Sequence, residues 1–228
     1  MEIVVKKDLP KGHFFKNINA LAIHKGQNTA RVGHNLTDEE LMRLYKKGDN
    51  NAFRIIISRY QKPVYNFLYR LLGNAELAEE AFQETFLRVI KSVSDYKPTA
   101  RFSTWVYTIA RNYCIDVKRK GRFRNHYSLD TMTAPDSTYS GDEILKSEAH
   151  VGETAVAHDL DKHLRRILDE INPEQKEVFV LRQFQEMSFE EISKVTGSSL
   201  NTVKSRMRYA IQTLQKKFSE LGIDSLER

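Results

Sequence analysis

Two helical segments joined by a tight turn, near the C-terminal end of the chain, constrain the fold most. Residues 188–191, with the sequence SFEE, have the form of a capping box, which begins a helix. Gly197 can adopt the left-handed conformation that ends a helix. A second, amphipathic helix is predicted over residues 200–218. Its apolar stripe is predicted to comprise Val203, Met207, Ala210, Ile211 and Leu214.

The side of this second helix opposite its apolar stripe is polar and basic. It is predicted to comprise Asn201, Lys204, Ser205 and Arg208. Hydrogen-bond donors near the start of such a helix suit base edges in the major groove and the phosphates that flank it. The pattern therefore favours a helix-turn-helix that reads duplex DNA. The alternative is a solvated helix on an all-α bundle, in which Arg206 pairs with Glu190 or Glu191.

The rest of the sequence is also helical in pattern. Gly and Pro are sparse, with 10 and 5 residues among 228, and no alternating strand pattern is found. We predict an all-α fold of two small helical domains, an N-terminal helical bundle and a C-terminal helix-turn-helix, joined by a flexible acidic linker. The formal net charge of +6 is compatible with a nucleic-acid partner but does not prove one.

Composition also excludes several kinds of site. Cys114 is the single cysteine, so neither an internal disulfide nor a Cys-rich zinc site can form. The seven histidines show no metal-ligand spacing, so we expect no metal, no cofactor and no catalytic residues. No apolar run has the length of a membrane span or a signal peptide. We therefore expect a cytoplasmic protein without membrane insertion.

Charge is distributed unevenly along the chain. Residues 101–124 contain seven basic side chains and one acidic side chain, whereas residues 125–159 contain seven acidic and one basic. The second stretch lacks helical apolar spacing and is typical of a solvated linker. The predicted organisation is a basic, disordered N-terminal extension over residues 1–36, a helical domain over 37–122, a flexible acidic linker over 123–159, a second helical domain over 160–220 and a tail over 221–228.

Four helices are predicted in the first domain. Residues 37–40, with the sequence TDEE, form a capping box for the first helix, which stops at Gly48. The second helix runs from Asn51 to Leu72 and should kink at Pro63. The third runs over residues 74–93, and its acidic outer face suits a basic protein partner, although a solvated face is the alternative. The buried stripe of this third helix is predicted to comprise Leu77, Ala81, Thr85, Val89 and part of the Phe82–Phe86 pair.

The fourth predicted helix, from Ser103 to Lys120, combines aromatic and basic residues. Aromatic faces can stack on unpaired bases while basic side chains hold the backbone, a combination that suits melted DNA. Its apolar side is predicted to comprise Trp105, Val106, Ile109, Tyr113 and Val117. The alternative places Trp105 and Tyr113 in the core and makes Phe102 a hydrophobic staple. Tyr107 and Asn112 are predicted to lie off the apolar side, so core packing explains them less well.

Three stretches in this order resemble bacterial sigma factors. The core-polymerase-binding helix of that family resembles residues 77–90, LAEEAFQETFLRVI. Its promoter-melting and minus-ten-reading helix resembles residues 101–120, RFSTWVYTIARNYCIDVKRK. Its C-terminal domain resembles residues 172–218, including SFEEIS and NTVKSRMR. The two-domain layout with only an acidic linker resembles the extracytoplasmic-function group of the sigma-70 family.

The resemblance implies roles for particular residues. Polymerase binding, at the clamp helices of the largest subunit, is implied for Glu80, Gln83, Glu84 and Arg88. Minus-ten recognition and melting is implied for Tyr96, Arg101, Phe102, Trp105, Tyr107, Asn112, Lys118 and Arg119. Minus-thirty-five recognition is implied for Asn201, Thr202, Lys204, Ser205 and Arg208. Within the minus-ten set, Asn112 matches a residue that reads an extruded base, and the loop from Tyr96 to Phe102 matches the segment that cups it.

The resemblance also implies a function and partners. We expect a sigma factor that binds RNA polymerase core and directs initiation at promoters, on duplex and melted DNA, for a stress or envelope-signal regulon. An anti-sigma factor is an expected further partner. The alternative is a helix-turn-helix regulator that never joins polymerase. Residues 209–211, with the sequence YAI, depart from the arginines common there, so fewer phosphate contacts are expected at that end.

Overall fold

A computed structural model describes residues 36–97, 101–127 and 163–221, and the regular elements in those ranges are all α-helices. This confirms the predicted all-α fold class. The chain divides into two compact units. Among the described residues, the first unit contains those up to Gln61 and those within Ile90–Phe102, and the second contains Lys62–Val89 and those from Ser103 onward. The predicted extension up to residue 35, the linker over 128–159 and the tail from residue 222 lie outside the described residues.

The first helix, α1 (Asp38–Lys46), begins with the predicted capping box. Thr37 Oγ1 accepts the backbone N–H of Glu40 at 3.2 Å, and Glu40 Oε2 accepts the N–H of Thr37 at 2.8 Å. The bond from the Thr37 backbone N–H, and then a bond that Thr37 Oγ1 donates to Glu40 Oε2 at 3.0 Å, lower the pKa of the Glu40 carboxyl. Gly48 follows the helix with φ 98°, a conformation that other residues rarely adopt.

The second helix, α2 (Asn50–Leu72), begins one residue earlier than predicted and continues through Pro63. Its buried residues recur at the three- and four-residue steps of an amphipathic helix. They are Ala52, Phe53, Ile56, Val64, Tyr65, Phe67, Leu68 and Leu71. In the first unit, Asp38 at the start of α1 binds Arg59 Nη1 and the Tyr60 hydroxyl, each at 2.6 Å. Two charged or polar groups of α2 therefore hold α1.

The third helix, α3 (Ala75–Lys91), begins after Asn74, whose Oδ1 accepts the N–H of Leu77 at 2.9 Å. Its buried residues are Ala78, Ala81, Phe82, Thr85, Phe86 and Val89. The prediction of a buried Leu77 is wrong, since that side chain is 38% exposed. Both members of the phenylalanine pair fill the core instead, because a large ring gains more from burial than a leucine at the margin.

The fourth helix, α4 (Phe102–Tyr127), continues past the predicted end at Lys120, because Gly121 weakens a helix without ending it. Its predicted apolar side is largely wrong. The buried residues are Phe102, Thr104, Val106, Tyr107, Ala110 and Cys114. Trp105, Ile109, Tyr113 and Val117 are half-buried. The buried face combines two large rings, Phe102 and Tyr107, with small residues such as Thr104 and Ala110, which allow close packing, so the four predicted residues Trp105, Ile109, Tyr113 and Val117 lie at its margins.

The C-terminal helices lie in the second unit. Residues 163–170 are helical and are called α5. They are followed by α6 (Pro173–Phe184), α7 (Phe189–Thr196) and α8 (Leu200–Glu220), and both α7 and α8 pack on α6. Asn172 caps α6 by accepting the N–H of Glu174 at 2.9 Å, with Pro173 in the first turn as predicted. Within the described ranges, no helix combines the length and hydropathy that a membrane span requires.

Candidate nucleic-acid and protein interfaces

Local hydrogen bonds fix the turn between α7 and α8. Ser188 Oγ accepts the N–H of Glu191 at 3.2 Å, and the Glu191 carboxylate accepts the N–H of Ser188 at 2.8 Å. Gly197 ends α7 in the left-handed conformation, with φ 66°. Ser193 Oγ donates to the carbonyl oxygen of Ser198 at 2.6 Å. The two helices therefore form the predicted helix-turn-helix with a defined turn.

The first turn of α8 separates capping residues from outward-facing residues. Ser199 is the N-cap, and its Oγ accepts the N–H of Thr202 at 3.1 Å and lies 2.8 Å from Thr202 Oγ1. Thr202 is half-buried, so its hydroxyl is engaged within the cap. The other residues predicted for this surface are exposed: Asn201, Lys204, Ser205 and Arg208. The predicted polar face of α8 is thus confirmed as a solvent-facing surface.

Arg206 faces the opposite way and holds α8 in place. Its Nη1 donates to Ser198 Oγ at 2.7 Å, and its Nη2 pairs with the carboxylate of Glu174. The alternative interpretation, in which Arg206 pairs with Glu190 or Glu191, therefore named the wrong partner. Because Glu174 lies in the first turn of α6, this arginine ties α8 to both the turn and α6.

The exposed face of α8 changes character after Arg208. Tyr209 is exposed, and Arg208 Nη2 donates to its hydroxyl at 3.4 Å while the guanidinium carbon lies 5.1 Å from the ring centre. The prediction of a buried Ile211 is wrong, because that side chain is 37% exposed. Apolar surface, rather than further positive charge, therefore continues the face beyond Arg208.

Three aromatic residues expected at the minus-ten surface are buried. Phe102 packs against the Tyr60 and Tyr96 rings, with centroids 5.0 and 6.2 Å away. Burial raises the pKa of Tyr96 to about 12. Tyr107 packs edge-on against Phe67 at 5.1 Å, and burial raises its pKa as well. The placement of Tyr107 off the apolar side of α4 is wrong, and packing accounts for all three residues.

The polar members of the minus-ten set are exposed. They are Arg101, Asn112, Lys118 and Arg119. Trp105 is half-buried, so it is neither a full core residue nor a fully exposed one. Arg119 Nη2 lies 3.4 Å from Asp116 Oδ1. Within the loop expected to cup a base, residues 98–100 lie outside the described residues.

The start of α4 is anchored by a residue that sequence reasoning missed. The backbone N–H of Phe102 donates to Glu39 Oε1 at 3.0 Å. A carboxylate at a helix N-terminus satisfies an N–H that has no partner within the helix and also complements the helix dipole. Because Glu39 is 63 residues distant, no local spacing pattern could have indicated this cap.

The acidic surface of α3 is linked to α4. Glu80 is exposed, and its Oε1 accepts the Tyr113 hydroxyl at 3.1 Å. Arg88 Nε donates to Glu84 Oε1 at 2.9 Å, and its guanidinium lies 5.1 Å from the centre of the Tyr113 ring. Of the four residues expected to bind polymerase, Glu80 and Arg88 thus contact Tyr113, and Glu84 is paired with Arg88. We call Glu80, Glu84, Arg88 and Tyr113 the α3–α4 network.

Two members of this surface were not identified from the sequence. Tyr113 was expected in the core. Burial, and then its bond to Glu80, raise its pKa to about 12. The Asp116 carboxylate lies 4.0 Å from Arg88 Nη1. Asp116 is the single acid of the basic stretch over residues 101–124, and that isolation could have indicated a pairing role. Gln83, the remaining predicted residue, donates to Glu79 at 3.4 Å on α3 itself.

Comparisons with known proteins agree with this arrangement. The family described as Sigma-70 region 2 matches residues 56–124, and the family described as Sigma-70, region 4 matches residues 162–214. The chain is 30% identical over 177 residues to the ECF RNA polymerase sigma factor SigW of Bacillus subtilis, covering 77% of this chain and 94% of that protein. It is 31% identical over 183 residues to the RNA polymerase sigma factor CarQ of Myxococcus xanthus, covering 80% and 98%.

Solved structures show the same fold. The sigma factor RpoE of Bartonella quintana, in complex with the anti-sigma factor NepR, matches with a TM-score of 0.60 and 17% identity, covering 77% of this chain and 98% of that one. CnrH, in complex with the cytosolic domain of CnrY, matches with a TM-score of 0.58 and 19% identity, covering 82% and 99%. Two family regions in order, together with relatives matched over nearly their whole length, identify the chain as a member of the extracytoplasmic-function group of sigma-70 family RNA polymerase sigma factors.

Proposed function

We propose that this sigma factor binds RNA polymerase core through the acidic side of α3 and directs promoter-specific initiation through exposed residues of α4 and α8. The observation that carries the proposal is the separation of two surfaces of different chemistry. The side of α3 presents carboxylates in a chain with net charge +6, whereas the outward face of α8 presents amide, hydroxyl and cationic donors. DNA repels the first surface and attracts the second.

The α3–α4 network supports the polymerase-binding role. Glu80 and Glu84 are held by Tyr113 and Arg88 before any partner arrives. Side chains already held in position lose less conformational entropy on binding, so more of the interaction energy remains as affinity. An ordered acidic surface of this kind fits a basic protein partner, and we assign it the clamp helices of the polymerase largest subunit.

The outward face of α8 supports the minus-thirty-five role. Arg208 and Lys204 can each donate to guanine in the major groove, while Asn201 can pair with adenine through its amide. Ser205 lies exposed between them. Thr202 is proposed as a secondary contact only, because its hydroxyl lies against Ser199 Oγ in the helix cap.

Residues of α4 support minus-ten recognition and melting. Asn112 is proposed to hold a base outside the stack, with Trp105 beside the melted strand and Arg101, Lys118 and Arg119 on its phosphates. Extrusion of a base costs a few kcal/mol, which stacking and polymerase contacts must offset. Melting then follows from capture of unpaired bases, without any chemical step. Tyr96, Phe102 and Tyr107 are left in packing roles because they are buried.

An anti-sigma factor is the further partner that we propose. Both structural neighbours described above are complexes with another protein, and in one of them a sigma factor is bound to a protein named as an anti-sigma factor. On this chain such a partner would compete by covering the acidic side of α3 or the outward face of α8. The regulon is proposed to answer a stress or envelope signal. A regulator that never joins polymerase is not favoured, because it leaves the acidic side of α3 without a role.

The polymerase-binding assignment is tested by co-purification with polymerase core. The double variant Glu84→Lys with Gln83→Ala should lose at least about tenfold in affinity, the effect of placing like charges at an interface. Glu76→Lys is the matched control, since it makes the same charge change at an exposed position of α3 outside the predicted set. Unchanged binding by the double variant would show that this surface is wrongly assigned.

The function as a whole is tested by transcription from a library of promoter sequences with added polymerase core. Initiation should be confined to templates that share an upstream and a downstream element. If no template in the library supports initiation above the level of core alone, the proposed function is wrong.

A further inference from the structure

α6 is buried around more of its circumference than its own domain explains. A helix that packs on one side buries three or four residues in two turns. In α6 six consecutive residues are buried: Lys176, Glu177, Val178, Phe179, Val180 and Leu181. The neighbours α7 and α8 account for one side of the helix, and Lys176 pairs with Asp169 of α5 at 2.6 Å. A charged residue, Glu177, is among those buried, so a second set of neighbours must cover it.

Those neighbours are α2 and α4, and all residues in the contact belong to the second unit. Arg111 on α4 binds Glu177 at two points, Nε to Oε1 at 2.6 Å and Nη2 to Oε2 at 3.4 Å. The two side chains are only 19% and 10% exposed. Tyr107 on α4 donates its hydroxyl to Gln185, the residue that follows α6. We call these two pairs the docking contact.

Aromatic contacts from α2 extend the same interface. The guanidinium carbon of Arg70 lies 3.9 Å from the centre of the Phe184 ring at the end of α6. On α5, Arg165 lies 5.3 Å from the centre of the Tyr69 ring. Cation–π contacts of this kind gain strength where water is excluded. The residues matched by region 2 and those matched by region 4 are therefore joined by charged, polar and aromatic contacts together.

The position of Arg111 indicates what the docking contact competes with. It precedes Asn112 and lies within the stretch over residues 101–124, which carries seven basic side chains and one acidic one. The guanidinium forms a planar fork that binds carboxylate and phosphate with the same two-point geometry. A carboxylate at this place occupies the donors of a cationic side chain on the helix that we assign to melted DNA.

We propose that Glu177 substitutes for a DNA phosphate in the free protein, and that the backbone of the promoter strand displaces it from Arg111. The exchange keeps Arg111 paired and returns Glu177 to water, so neither charge is left buried and alone, the state that makes breaking a buried ion pair costly. Displacement separates α6 from α4. The DNA part of this inference rests on the proposed function, whereas the docking contact itself does not.

The docking contact is tested by energy transfer between dyes on the full-length chain. Cysteines placed at Glu76 on α3 and Gln215 on α8, both exposed, carry the dyes. Burial raises the pKa of the native Cys114 thiol to about 12, so that thiol should not compete for label. Glu177→Gln should lower transfer efficiency, and the charge exchange Arg111→Glu with Glu177→Arg should restore it. Glu174→Gln is the matched control, because its partner Arg206 lies on α8, and it should leave transfer unchanged.

Displacement by DNA is tested with the same proteins and a single-stranded oligonucleotide of random sequence. Glu177→Gln should bind about tenfold more tightly than the parent protein, a factor typical of coupled sites. The charge-exchanged variant should bind more weakly than the parent, because residue 111 is then acidic. Tyr107→Phe keeps the ring against Phe67 and removes only the hydroxyl. It should lower transfer efficiency and raise oligonucleotide affinity, each by less than Glu177→Gln does. This variant provides the test if Glu177→Gln does not fold.

Unchanged transfer in both Glu177→Gln and Tyr107→Phe would overturn the docking contact. Lower transfer without a gain in oligonucleotide affinity would overturn the role of Glu177 as a phosphate substitute. A protein that shows the expected shifts yet fails to initiate at any promoter would support the inference while contradicting the proposed function, so the two failures are distinguishable.

Discussion

The two helices proposed to contact DNA divide their side chains between core and surface in different ways. In α8 the buried residues are Val203, Met207, Ala210 and Leu214, and the proposed DNA contacts other than Thr202 lie fully outside that stripe. In α4 the aromatic residues Phe102 and Tyr107 are buried and Trp105 is half-buried, and Tyr113 contacts the surface of α3. The difference teaches that the outward face of α8 can vary without a large stability cost, whereas changes in α4 alter the core and the α3–α4 network together.

The largest effect should come from the buried end of α4. Phe102→Ala removes a ring with no exposed surface, and the free energy of unfolding should fall by about 3–5 kcal/mol. Urea unfolding followed by circular dichroism measures the change. Trp105→Ala, at a half-buried position three residues later, is the comparison and should cost clearly less. Equal losses from the two variants would contradict the distinction between packing and surface aromatics in α4.

The outward face of α8 should behave in the opposite way. Arg208→Ala should weaken binding to the preferred upstream element by about 1–3 kcal/mol and relax sequence preference at one base pair. The free energy of unfolding should stay within about 0.5 kcal/mol, as for other exposed residues. Electrophoretic mobility shift with matched and mismatched duplexes gives the first quantity. Lys216→Ala, exposed near the other end of α8, is the control. A stability loss in Arg208→Ala comparable with that in Phe102→Ala would remove the contrast.

A smaller effect is expected where α4 meets α3. Tyr113→Phe removes the hydroxyl that donates to Glu80 and keeps the ring beneath Arg88, so affinity for polymerase core should fall by about 1 kcal/mol, or roughly fivefold. Binding isotherms with labelled polymerase core measure it. DNA binding by the free protein should be unchanged. If Tyr113→Phe instead impairs DNA binding and spares polymerase binding, the residue belongs to the other surface.

The smallest effect concerns pH. The pKa values of Tyr96 and Tyr113 are both raised to about 12 from the ordinary value of 10, in each case first by burial. A group whose folded pKa is raised contributes stability that is fully present below its unfolded pKa and is lost as pH rises through the folded one. The free energy of unfolding should therefore decline between pH 10 and 12. The decline should be shallower in Tyr113→Phe, and an identical pH profile for that variant would contradict the assignment.

Features set by a few neighbouring residues were predictable from the sequence. The capping boxes at Thr37 and Ser188, the turn at Gly197 and the polar face of α8 each depend on contacts within a few positions. These are geometries that residue type and spacing largely decide. The helices were therefore placed to within a few residues, apart from the C-terminal end of α4.

Features set by tertiary packing were not predictable in this way. The apolar side of α4 was assigned by residue size, yet Thr104 and Ala110 are buried while Trp105 is only half-buried. The pair Arg111–Glu177 joins residues 66 positions apart. Periodicity identifies which residues share a face of one helix, but it does not identify which face a distant helix will cover.

The bond between Tyr113 and Glu80 has a consequence for the position at which a promoter opens. Asn112 and Tyr113 are consecutive on α4, and a helix rises about 1.5 Å and turns about 100° per residue. The amide proposed to hold an extruded base is therefore one helical step from the side chain that braces the polymerase-binding surface. Because the helix is rigid, the distance between these two side chains is fixed. On the proposed assignments, the first unpaired base would be set at a fixed distance from the polymerase, whatever the sequence of the segment that connects the two family regions.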